Sequence, residues 1–104
     1  MSKFGDPIHV GEILGDELKE IGLNAAQLAE RIGVPANRIY EILNGNRNIT
    51  ADTALRLGKF FGTGPKLWLK LQNAYELDVA RQKSEKSIEK IRPYQKDSET
   101  VLTA

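Results

Sequence analysis

A chain of 104 residues, 40% apolar and 28% charged, has room for one domain with a modest core, and this composition excludes collagen-like, wholly disordered and membrane-embedded classes. Its lack of cysteine removes disulfide frameworks, thiol nucleophiles and thiolate zinc sites. A formal net charge of +1 excludes a uniformly basic surface, so any affinity for nucleic acid must come from where individual charges are placed.

Only Lys3 charges the first residues, and the longest apolar run is Leu67-Trp68-Leu69, so neither a signal peptide nor a membrane span is expected and the predicted location is the cytoplasm. From Val10 to Ile21 the apolar residues Val10, Ile13, Leu14, Leu18 and Ile21 keep one helical face inward, with His9 as the expected cap and Gly22 as a stop. Asn24 and Gln27, three apart, have the form of a capping box for a short second helix that buries Leu28, Ala29 and Ile32 and ends at Gly33. Pro35 opens a third helix running to about Asn44, with Ile39, Ile42 and Leu43 inward.

Asn46-Arg47-Asn48-Ile49 reads as a polar loop, and Thr50 is the expected N-cap of a fourth helix in which Ala54, Leu57 and Phe61 share a face. Gly64 and Pro65 open a fifth helix whose apolar residues are Leu67, Trp68, Leu71, Ala74, Tyr75 and Val79. The pattern weakens after Gln82, and no segment alternates like a strand. The expected fold is therefore all-α: a compact five-helix domain over 8–82, followed over 83–104 by a helix extension and a flexible charged tail.

Two short helices joined through Gly33 form the helix-turn-helix unit, in which the first braces the second against a DNA groove. The outward face of the third helix then reads Ala36, Asn37, Tyr40, Glu41 and Asn44, with Arg38 at its flank. An asparagine amide offers a donor and an acceptor to one adenine edge, so Asn37 leads as a base reader and Tyr40 follows. Arg38 and Arg47 suit phosphates, the latter beside Thr50 at a helix amino end. Asn24 and Gln27 are candidates at the edge of this surface, although capping alone accounts for them.

Nothing here assembles an active site. His9 is the only histidine and has no cluster around it, no phosphate-loop glycine string occurs, and no nucleophile has a base beside it, so neither enzyme, metal nor cofactor is expected.

Leu28-Ala29-Glu30-Arg31-Ile32-Gly33-Val34 followed by Ile39-x-x-Ile42-x-Asn44-Gly45 resembles the helix-turn-helix of Cro/lambda-repressor-like proteins. With His9 to Leu14, Pro35 to Ile39, Asn44 to Arg47 and Ile49 to Leu57 it resembles the HigA/VapI antitoxin family over residues 8–82. That resemblance implies a homodimer that binds double-stranded operator DNA, represses its own operon and neutralises a HigB-type, mRNA-cleaving toxin. Two departures bear on the site: Ala36 offers no hydrogen bond, and Glu41 puts a negative charge on the outward face. A phage-type repressor without a toxin and a helical protein-interaction module are the alternative readings of the same pattern.

Overall fold

The computed structural model of this protein describes residues 6–96 and 100–101. Its elements run α1 (Val10–Ile21), α2 (Ala25–Ile32), α3 (Ala36–Leu43), α4 (Ala51–Phe61) and α5 (Pro65–Glu89), followed by two-residue strands β1 (Gln95–Lys96) and β2 (Thr100–Val101).

Each of the first two helices begins on a side-chain cap and ends on a left-handed glycine. His9 Nδ1 accepts the Gly11 N–H at 2.9 Å at the start of α1. Asn24 and Gln27 close a reciprocal capping box at 2.8 Å in each direction. Gly33, at φ 73°, stops α2, and the Val34 N–H returns to the Ala29 carbonyl at 3.0 Å, which satisfies an otherwise orphaned acceptor. Pro35 stands one residue earlier than expected, as the extended N-cap of α3 and not inside its first turn.

The core gathers Val10, Leu14 and Leu18 of α1, Leu28, Ala29 and Ile32 of α2, Ile39 and Ile42 of α3, Ala54 and Leu57 of α4, and Trp68 of α5. Backbones come closest at two glycines. A β-carbon on Gly11 would collide with the Ile42 carbonyl, and one on Gly58 with the backbone of Gly64, so α1 packs directly on α3, and α4 on the turn that leads into α5. Trp68 fills the α4–α5 junction beside Phe61, its indole N–H donating to Thr63 Oγ1 at 3.1 Å.

Three further expectations change. Ile21 does not join the buried stripe: it is 46% exposed, because the cover on α1 ends at Leu18 and the last turn overhangs. The apolar residues of α5 divide between two faces, with Trp68 buried and Leu71, Tyr75 and Val79 half-buried, while Leu67 and Leu77 are 42% and 54% exposed. Beyond α5, Gln95 pairs with Val101 and Lys96 with Thr100 in a short antiparallel ladder that no alternation announced. The rest of the tail, 97–99 and 102–104, lies outside the described residues.

Candidate nucleic-acid interface

Burial of Ile39 and Ile42 fixes the rotation of α3 about its axis, and the opposite stripe at spacing i, i+3, i+4, i+7 is Asn37, Tyr40, Glu41 and Asn44. Asn37 is exposed, and no described residue hydrogen-bonds its amide. Tyr40 is 47% exposed beside it. Ala36, half-buried, packs on the core, and Asn44 serves as the C-cap, its N–H returning to the Tyr40 carbonyl at 3.0 Å.

The charges on this face are paired. Glu41 accepts Arg47 Nε at 2.7 Å, so the carboxylate on the outward face is neutralised by the cation of the following loop. Both side chains are more than two-fifths exposed, and such a pair contributes under about 1 kcal/mol. Arg38 donates instead to Asp52 at 2.8 Å, which ties the flank of α3 to the first turn of α4.

Asn24 and Gln27 sit at the amino end of α2 with their side chains committed to the capping box. Thr50 Oγ1 accepts the Thr53 N–H at 3.4 Å and so caps α4. The structure thus brings Asn37, Tyr40, Glu41, Asn44 and Arg47 onto one surface, and spends Arg38, Asn24, Gln27 and Thr50 largely on holding helices.

The clamp behind this surface was not foreseen. Arg56 donates to the Ile32 carbonyl at 2.8 Å and the Gly33 carbonyl at 3.3 Å, covering the carboxyl end of α2, while its Nε meets Asp52 at 3.1 Å. Asp52, shared by Arg38 and Arg56, is held below the usual carboxylate range by the Arg38 hydrogen bond first and the Arg56 bond second. One carboxylate and two guanidiniums therefore join α2, α3 and α4 around the turn. The signal was Asp52 and Arg56 four apart on a helix, a spacing that pairs opposite charges. Gln72 had no local signal: buried on α5, it accepts the Ile49 N–H at 2.8 Å across 23 residues and donates to Glu76.

His9 is the buried ionisable group among the described residues, its ring edge-on to Tyr75 at 4.7 Å. Burial pushes its pKa below the ordinary 6.5, against the opposing pull of Glu12. Its Nε2 is the buried side-chain atom without a hydrogen-bond partner among the described residues, and no carboxylate or imidazole group there has metal-ligand spacing. No described helix is long and apolar enough to cross a membrane.

Comparison with known proteins bears on the same surface. A helix-turn-helix family model matches residues 14–68. Virulence-associated protein I of Dichelobacter nodosus is 47% identical over 95 residues, covering 90% of this chain and 87% of that protein. A solved structure of an addiction module antidote protein of the HigA family from Coxiella burnetii superposes with TM-score 0.84 at 55% identity, covering 86% of this chain and 99% of the other. The Pseudomonas aeruginosa antitoxin HigA, solved with the higBA promoter, superposes with TM-score 0.81 at 41% identity over 86% of this chain and 99% of its own.

Proposed function

This chain belongs to the HigA family of helix-turn-helix antitoxins, and from that premise we propose how its parts divide the work. It is a DNA-binding antitoxin that represses its own operon and neutralises a HigB-type, mRNA-cleaving toxin. The observation that carries the DNA-binding half is the free Asn37 amide on an outward polar stripe, with α3 held in place by α2 and by the Arg56 clamp. Asn37 reads a base by bonding adenine N6 and N7 together, Tyr40 contacts a thymine methyl or a phosphate, and Arg47 exchanges Glu41 for a phosphate. Asn44 borders the reading face, and Ala36 supports it from the core side.

The working unit is a homodimer. Leu67, Lys70, Ala74 and Leu77 follow one another at three-, four- and three-residue steps along one outward face of α5, and Ile88 stands eleven residues beyond on the same face, with Leu77 54% and Ile88 50% exposed. A second copy covers that stripe in an isologous contact and sets two recognition helices roughly 34 Å apart, one helical turn of DNA.

Fluorescence anisotropy on the chain's own promoter and on random DNA tests the assignment. Asn37→Ala is expected to cost about 1–3 kcal/mol on the operator, to leave random DNA nearly unchanged, and to relax preference at one base pair per half-site. A variant that still discriminates every operator base places the reading elsewhere.

A further inference from the structure

A groove of about 470 Å³ runs along α1, between that helix, the start of α2 and the end of α3. Gly15, Leu18, Leu23 and Leu43 contribute its apolar surface, Glu12, Asp16 and Lys19 stand on its edge along α1, and Asn24 borders it at the start of α2. A groove of this size accommodates one or two side chains of a docking partner.

Gly15 is the informative residue. A glycine in mid-helix costs about 0.5–1 kcal/mol relative to alanine, and here the fold gives no reason to bear that cost. A β-carbon at Gly15 would meet only Leu43 Cδ2, at 3.7 Å, an ordinary contact, whereas one at Gly11 would run into backbone. Gly11 is thus explained by α3, and Gly15 is unexplained by any of the described residues. A bare helix backbone facing an open groove fits a close approach from outside.

Charge selects the visitor. The exposed side of α1 carries Glu12, Asp16, Glu17 and Glu20 against Lys19 alone. Asp16, Glu17 and Glu20 make no ion pair among the described residues, so their field is directed at solvent. Operator DNA is repelled by such a face. A nuclease that grips mRNA, a polyanion, must itself present a cationic surface.

We infer that the α1 groove is the docking site for the toxin: a basic segment of it seats an arginine or lysine against Asp16 and Glu12 and lies flush on the helix at Gly15. The inference rests on the antitoxin reading, and it assigns the toxin to a surface separate from the DNA-reading stripe.

Calorimetric titration of the full-length chain with the HigB-type toxin encoded beside it, made catalytically inactive for purification, tests the groove. Gly15→Gln inserts a side chain where the backbone is bare, and Asp16→Lys reverses the charge on the edge. Each is expected to weaken toxin binding by about tenfold or more, while operator affinity holds near the wild-type value and the melting temperature does not fall, rising for Gly15→Gln as the helix loses its glycine. The wild-type affinity should fall with added salt, and that of Asp16→Lys much less. Unchanged toxin affinity in both variants overturns the groove and leaves the antitoxin reading standing. A change in the antitoxin's own oligomeric mass would also overturn it, by assigning the groove to a second copy. A wild-type chain that binds no such toxin removes the antitoxin reading and the groove with it.

Discussion

Glu41 stands on the face assigned to DNA, where an unpaired carboxylate would repel phosphate, and its pairing with Arg47 turns that defect into a means of control. While the pair is closed, the cation is partly spent; opening it costs under about 1 kcal/mol and releases a phosphate clamp. Glu41→Gln should therefore strengthen binding to operator and random DNA alike and steepen the salt dependence by about 0.9 log units for each additional phosphate neutralised. A titration of affinity against salt with the same slope as the wild type would contradict this role for Arg47. His9 makes a second residue-scale prediction. Burial lowers its folded-state pKa below the unfolded value, so the unfolded chain takes up a proton more readily than the folded one. The stability contributed by neutral His9 is complete above about pH 6.5 and is lost as pH falls through the lowered folded value. Urea midpoints should decline between pH 7 and 5, and His9→Asn, which keeps an N-cap acceptor, should flatten that decline.

At the scale of elements, the clamp of Arg56 on the carboxyl end of α2 sets the angle at which α3 is presented. Arg56→Met keeps much of the apolar stem and removes the hydrogen bonds to the Ile32 and Gly33 carbonyls. It should cost about 1.5–3 kcal/mol of stability in chemical denaturation and weaken operator binding although the residue lies outside the stripe assigned to the bases. Local rules made much of this architecture legible. The caps at His9, Asn24 and Thr50 and the stop at Gly33 each depend on residues within three positions, and all four stand where the pattern puts them. The contacts that escaped are long in sequence: Arg56 to Ile32 spans 24 residues, Ile49 to Gln72 spans 23, and Arg38 to Asp52 spans 14. No periodicity encodes them, because periodicity reports which face is buried and not which polar atom meets which. Exposure of Ile21, Leu67 and Ala74 escaped for a related reason, since an apolar stripe reads alike whether its cover comes from the same chain or from another.

For the whole molecule, α5 is the element of largest reach: 25 residues span about 37 Å, in a chain measuring 58 × 28 × 21 Å. Leu77→Asp places a charge in the face assigned to the second copy without touching the monomer core. Light scattering should then return the mass of one chain, and operator affinity should fall by about tenfold or more, as two linked half-site contacts become one. A dimer that persists would move the interface off α5. The same helix holds the Arg47 loop, through the bond from the Ile49 amide to Gln72. A buried amide with one acceptor has no neutral alternative, since losing that acceptor costs about 1–3 kcal/mol. The loop assigned to DNA and the helix assigned to a second copy are consequently not free to move independently. Linkage makes such a connection reciprocal: whatever free energy the paired helices lend to the grip on a half-site, an occupied half-site returns to the pairing. On the proposed dimer, the promoter itself is then expected to act as an assembly factor, drawing two copies together at concentrations where each alone would remain single.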